Sequence, residues 1–343
     1  MSHPHSALST QYSALALRFV QVDVFAEEPF GGNQLAVFFE AAGLTTAQRQ
    51  AIAAEMNYAE STFVEPPTAS DADARVRIHT PARELPFAGH PTLGTAYALA
   101  RERAAAPSAP PRQSSAPRPA SAAPPAADEP AGPAEAAPER VSLRLEMGVG
   151  VLGVVVEQRG PRTAYAWMDQ PLPQFEPAPA VGLGVLVGLA DDEVAVPGLP
   201  PEIGSAGVPY LYLAARSLTA VRRARADAGA IAAAFAGRAS PGVLLFARET
   251  ESPEATVHAR MFAPLLGVLE DAATGSAAGP LGAYLLRHGA VAPEPTTRVV
   301  VEQGLEMGRP SRLAVELTVA AGVPTAVRVG GGVVLVADGR LYV

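Results

Sequence analysis

Three side chains able to move protons stand far apart in this chain: Glu60, His90 and Asp271. Glu60 lies in Met56-Asn-Tyr-Ala-Glu-Ser-Thr-Phe-Val64, between a helix end and a strand, with Ala59 and Phe63 as small or apolar neighbours. A carboxyl held there has its charged form disfavoured, which suits a general acid/base near neutral pH. His90 and Asp271 each belong to a Gly-rich stretch, Phe87-Ala-Gly-His-Pro-Thr-Leu-Gly94 and Glu270-Asp-Ala-Ala-Thr-Gly-Ser-Ala-Ala-Gly279. A Gly-rich loop that opens a helix exposes free N–H groups and traps anions. Two such traps can grip one small acidic molecule or its enolate from both sides. Gly89, Thr274 and Gly275 supply close backbone. Ser276 serves either as a helix cap before Ala277 or as a hydroxyl donor to a carboxylate. His90 and Asp271, each alone, also fit structural roles; their places on two matching loops favour chemistry.

The surrounding elements repeat. Strand-like runs, Arg75–Thr80 and Ala255–Phe262, precede the two loops, and Ala/Leu-rich helical runs follow them. An Arg-x-x-x-Pro element stands before each loop, Arg77 to Pro81 and Arg260 to Pro264, about 180 residues apart. Pro91 sits in a first helical turn, and the spacing predicts helices over 92–106 and 276–288, the second stopped by Gly289. Alternation predicts a strand over Leu17–Phe25, and Phe30-Gly-Gly-Asn33 turns the chain into another at Leu35–Phe39. Thr45 and Gln48 have capping-box spacing for a helix that runs to Met56, and Ser61–Glu65 is the next strand. Further strands are expected at 141–145, 151–157, 164–168, 243–247, 255–262, 298–302, 313–317, 327–329 and 333–336, then a turn and a last strand to Val343. Strands dominate, with one long helix per half. The fold class is α+β: a curved mixed sheet wrapped round a central helix, built twice.

Composition removes several alternatives. The chain has 343 residues, 48% of them apolar, and a net charge of −8. That suits two ordinary domains and gives no sign of a nucleic-acid partner. No apolar run approaches the ~20 residues that cross a bilayer, and residues 1–16 lack a secretory apolar core, so a cytoplasmic protein is expected. There is no cysteine, and all 26 basic residues are arginine. Thiol acid/base chemistry, thiolate zinc sites, Schiff-base lysines and a P-loop lysine are therefore excluded. Of the six histidines only His3 and His5 are paired in sequence, so no metal site is expected. Residues 107–138 hold ten of the 34 prolines without periodicity, and a disordered insertion is expected there.

Taken in order, Asp23-Val-Phe…Pro29-Phe-Gly-Gly-Asn33, Met56-Asn…Glu60-Ser-Thr-Phe63, Phe87–Gly94, Arg260-Met-Phe-Ala-Pro264, Glu270-Asp…Ala-Thr-Gly-Ser-Ala277 and Glu302-Gln-Gly…Gly308-Arg-Pro-Ser311 resemble the PhzF-like phenazine-biosynthesis isomerases. That family is a cofactor-free branch of the diaminopimelate epimerase-like fold. The resemblance implies two pseudo-symmetric lobes with the site between them. It places a tail at 1–16, one lobe at 17–164 plus 331–343, and the other at 165–330. It implies Glu60 as the acid/base, and His90 and Asp271 as groups that orient substrate and hold protons. Gly89, Gly275, Ser276 and Asn33 are implied as substrate-binding, the ligand as a small carboxylate, and the assembly as a homodimer without cofactor. The cysteine pair of the epimerase relatives is missing here.

The chain departs from that pattern at Ala59 (serine in the phenazine enzyme), at Gln34 and Ala272 (proline in both cases), and by the 107–138 insertion. These changes put the phenazine precursor in doubt as substrate and leave Glu60, His90 and Asp271 untouched. Two other readings stay open: an epimerase using Glu60 and Asp271 as two bases, and a carboxylate-binding protein without catalysis.

Overall fold

The computed structural model describes residues 16–105, 139–179, 182–236 and 242–343. The expected insertion at 107–138 and all but the last residue of the expected tail lie outside them. Ala16, assigned to that tail, is instead the first residue of a strand.

In the first half the elements are β1 (Ala16–Val24), β2 (Asn33–Phe38), α1 (Thr46–Met56), β3 (Glu60–Glu65), β4 (Ala74–His79), β5 (Glu84–Leu85), α2 (Gly89–Ala105), β6 (Arg140–Met147), β7 (Gly150–Gly160) and β8 (Thr163–Gln170). The second half has β9 (Gln174–Pro177), β10 (Glu202–Ser205), β11 (Pro209–Ala214), α3 (Leu218–Arg223), α4 (Ala228–Ala234), β12 (Gly242–Ala247), β13 (Val257–Ala263), β14 (Val268–Asp271), α5 (Gly275–Arg287), β15 (Thr296–Gln303), β16 (Ser311–Ala320) and β17 (Val323–Tyr342).

The pairings repeat one for one. β1–β2 is antiparallel, β2–β3 parallel, β3–β4 antiparallel, β4–β6 parallel, and β6–β7 and β7–β8 antiparallel. The order β10, β11, β12, β13, β15, β16, β17 runs through the same sequence of senses. Each set curls round its own helix. α2 packs on β1, β2, β3, β6, β7 and β8, and α5 on β10, β11, β15, β16 and β17. Hence both helices are buried through most of their length: Leu93, Tyr97, Leu281 and Tyr284 are fully enclosed. A helix apolar all round belongs in such a core.

The two sets are joined by long strands. β17 pairs with β16 over Val323–Gly330, with β8 over Val327–Val334, and with β1 over Val333–Tyr342. The expected break near 330 and the turn at Ala337-Asp-Gly339 are therefore absent. The three glycines at 330–332 keep the ribbon continuous, because other groups press against it. A Cβ at Gly330 would stand 2.5 Å from Trp167, and one at Gly332 2.1 Å from the Ala26 carbonyl oxygen. Asp338 and Gly339 stay in register, opposite Val20 and Phe19.

The Arg-x-x-x-Pro repeats have a structural cause. Arg260 on β13 donates to both carboxylate oxygens of Glu270 on β14, at 2.7 and 2.8 Å. Arg77 on β4 grips Glu84 on β5 in the same two-pronged way. In each lobe the glutamate lies five residues before the helix's first glycine, so the fork fixes the loop that delivers the helix start.

Candidate active site

Both helices begin earlier than periodicity indicated. α2 starts at Gly89, so Gly89, His90 and Pro91 form its first turn, where a proline lacks only an already unpaired N–H. α5 starts at Gly275, and the position expected of Ser276 as cap is taken by Thr274. The two starts meet head to head. A Cβ on Gly89 would lie 2.4 Å from the Ser276 nitrogen, and one on Gly275 2.7 Å from the Phe25 ring. Only glycine allows this approach, which turns two positive helix ends toward one place.

Glu60, the first residue of β3, reaches that place from the first lobe, and Asp271, the last of β14, from the second. One donor atom from each of Glu60, His90 and Asp271 falls within 4.8 Å of the others, and all three residues are buried. His90 Nε2 stands 3.5 Å from Glu60 Oε2, and neither atom has a hydrogen-bond partner among the described residues. Burial holds His90 down to about 3, against a hydrogen bond to the Gln34 backbone that favours charge, so the imidazole is neutral. Burial raises Glu60 well above its ordinary 4.5, and the neighbouring Asp271 raises it further.

Asp271 is a different kind of carboxyl. Oδ1 accepts from Asn33 Nδ2 at 2.6 Å and Oδ2 from Thr274 Oγ1 at 2.6 Å. Burial pushes it up as well, and these bonds pull it back. Glu60 has no such bonds among the described residues, so burial acts on it unopposed and makes it the weaker acid of the pair. The three residues are metal-ligand types, yet both Asp271 oxygens are already engaged. That donor set fits a proton site better than a cation site.

Asn33, expected to bind substrate, is bonded to the other site residues. Its amide nitrogen faces Asp271, the Ala273 carbonyl at 3.0 Å and His90 Nδ1 at 3.0 Å. It stands on β2 behind a loop clamped by Arg309, which donates to Asp23 Oδ1 at 2.7 Å and to the Gly32 carbonyl at 2.7 Å. Gln303 supports the other side, donating to the Asp271 carbonyl at 2.7 Å and accepting from the Thr274 N–H at 3.2 Å. Sequence reasoning missed Gln303 and Tyr210, although Glu302-Gln-Gly304 was within the recognised pattern. Tyr210 lies on β11, inside a stretch where no element was expected.

These groups line one cavity. Glu60, His90, Asp271, Ser276 and Tyr210 form its polar end, and Leu85, Val208, Met261, Leu266 and Val268 its apolar walls. Its volume is ≈ 20 Å³, room for about one water.

Residues 22–111 and 133–339 match the family model described as phenazine biosynthesis-like protein. The chain belongs to that family. The unmatched gap, 112–132, falls within the proline-rich segment. The chain is 36% identical over 333 residues to an uncharacterized isomerase of Mesorhizobium japonicum, covering 95% of this chain and 98% of that one. It is 35% identical over 327 residues to the trans-2,3-dihydro-3-hydroxyanthranilate isomerase of Pseudomonas aeruginosa, covering 95% and 99%. A Bacillus anthracis phenazine biosynthesis protein of the PhzF family superposes with a TM-score of 0.77 at 24% identity, covering 96% and 99%. This likeness bears out the α+β fold expected from the sequence. No helix among the described residues is long and apolar enough to cross a membrane.

Proposed function

We propose that this protein is a cofactor-independent isomerase that moves a proton between carbons of a small, unsaturated carboxylate. The observation that carries the reading is Glu60: a buried carboxyl, raised in pKa, whose Oε2 has no partner among the described residues and faces an equally unpartnered His90 Nε2. A binding protein gains nothing from such a group, because an unmade buried hydrogen bond costs about 1–3 kcal/mol. In its ionised form Glu60 takes a proton from an acidic C–H, becomes the neutral acid and returns that proton elsewhere on the conjugated system, so the product is an isomer and the carboxylate is restored. Negative charge that develops between these steps spreads toward the carboxylate, which the N–H groups at the starts of α2 and α5 hold. Neutral His90 faces the reactive Glu60 oxygen, and Asp271, through Thr274, fixes the second helix start.

Two-base epimerisation would need Asp271 as the second base, and both Asp271 oxygens are already bonded, to Asn33 and Thr274.

The test uses trans-2,3-dihydro-3-hydroxyanthranilate, the substrate named for the Pseudomonas aeruginosa relative, in deuterated water. One-base transfer gives an isomer in which solvent deuterium partly replaces the migrating hydrogen. Glu60→Gln should lower its formation by ~10²–10⁴-fold. An undiminished rate in that variant sinks the mechanism. A wild-type protein that leaves the compound unchanged removes this substrate but not the reaction class, which a panel of unsaturated carboxylates then tests.

A further inference from the structure

The Tyr210 phenol lies 2.7 Å from Ser276 Oγ, with both side chains buried in the cavity wall. The two hydroxyls carry two hydrogens, and the bond between them uses one. The other O–H has no partner among the described residues. Ser276 does not cap its own helix, since the cap position is Thr274. The remaining hydrogen is free for a ligand.

Donor strength decides which hydroxyl offers it. A phenol, with an ordinary pKa of 10.0, is the stronger donor, and the aliphatic Ser276 oxygen the stronger acceptor. Burial and the nearby Glu60 and Asp271 push Tyr210 higher still, so it remains a phenol at any working pH. Tyr210 donates to Ser276, and the Ser276 hydrogen is thereby turned toward the cavity. β11 holds Tyr210 rigidly: Tyr210 pairs with Gly242 on β12, and Tyr212, next on the same face, donates to the Ala277 carbonyl at 2.9 Å. The strand is thus tied to the first turn of α5 at two points.

We infer that Tyr210 is a positioning residue for the substrate carboxylate, acting through Ser276 by fixing that hydroxyl as a donor beside the N–H groups of the α5 start. The inference deepens the isomerase reading but does not need turnover. The ligand it implies is a carboxylate on an apolar body, because the remaining walls are Leu85, Val208, Met261, Leu266 and Val268.

Benzoate is the probe: a carboxylate on an apolar ring with no proton to move. Calorimetric affinities are compared for wild type, Tyr210→Phe, Ser276→Ala and the double variant. Tyr210→Phe removes one oxygen and should weaken benzoate roughly tenfold, the scale of one lost hydrogen bond. In the Ser276→Ala background the same change should have almost no effect, because the hydroxyl it orients is gone. The inference is overturned by wild type that does not bind benzoate, by Tyr210→Phe that binds as wild type does, or by losses that simply add. Deuterium incorporation, followed in parallel, tests the isomerase reading separately. Its absence alongside the expected benzoate pattern leaves Tyr210's role standing, and its presence with additive losses leaves only the isomerase.

Discussion

At the scale of single residues, the site combines two carboxyls whose surroundings differ. Glu60 is desolvated and unbonded, whereas Asp271 is desolvated and doubly hydrogen-bonded. This difference has a consequence for stability. A carboxyl whose folded pKa lies above its unfolded value contributes stability below the unfolded pKa and loses it as pH rises toward the folded one. Glu60 should therefore weaken the fold increasingly as pH climbs above 4.5. Glu60→Gln, which never ionises, should match wild type in melting temperature near pH 4.5 and exceed it progressively toward neutrality. A thermal-shift series in pH checks this, and a gap that shrinks with rising pH contradicts it. His90 gives a second check. With its pKa near 3, its ring nitrogens should keep the NMR shifts of a neutral imidazole between pH 5 and 8, even where the nearby Glu60 ionises. Nitrogen shifts of an imidazolium in that interval would make His90 a charged partner of Glu60 rather than a neutral one.

At the scale of elements, two matched arginine forks deliver the helix starts, but they are unequally buried. Arg260 and Glu270 are 4% and 18% exposed, against 22% and 32% for Arg77 and Glu84. Arg260 Nη1 also serves the carbonyls of Val221, Arg222 and Ala224 at 3.0–3.1 Å. Arg260→Met strands the half-buried Glu270 carboxylate together with the Val221, Arg222 and Ala224 carbonyls and should cost about 3 kcal/mol. Arg77→Met should cost about 1 kcal/mol. Denaturant melts of both variants measure the difference, and equal losses would refute the claim that burial sets it. The forks also show what was legible in the sequence. Their Arg-x-x-x-Pro signature was visible because it is local and occurs twice. The same holds for the Gly-rich loops, the capping box of α1 and the alternating strands. By contrast β9, β10, β11, α3 and α4 were not anticipated. Between Gln174 and Ala234 the elements are four to seven residues long, too short to show a period. Tyr210 went unseen with them. The helix starts were placed late because Gly89 and Gly275 read as loop residues. Only the head-to-head contact of two helices, which is tertiary, shows why glycine opens each.

At the scale of the molecule, the two lobes are not separable beads. β17 belongs to both, pairing with β16 and β8 through its first half and with β1 through its second, and the site lies where the two lobes meet. The cavity has room for about one water and is lined from both lobes, so it exists only while they stand in register. The shared ribbon is the element that can enforce that register. Deleting residues 333–343 tests this. The cut strips β1 of its β17 partner from Ala16 to Val24 and exposes the ground under Val333, Val334 and Leu335, which are 0%, 3% and 8% accessible. Each of these side chains is worth about 1.5–3 kcal/mol when buried. Together with the lost ladder they rival the whole net stability of a domain, about 5–15 kcal/mol. The first lobe should therefore lose its cooperative transition, with α2 amides near Leu93 and Tyr97 exchanging freely, rather than melt a few degrees lower. The second lobe keeps its own β16–β17 pairing, and amides of α5 should stay protected. A truncated protein with intact protection at Leu93 and Tyr97 would show that the first lobe folds without β17, and the ribbon would then be a tether between the lobes rather than their common wall.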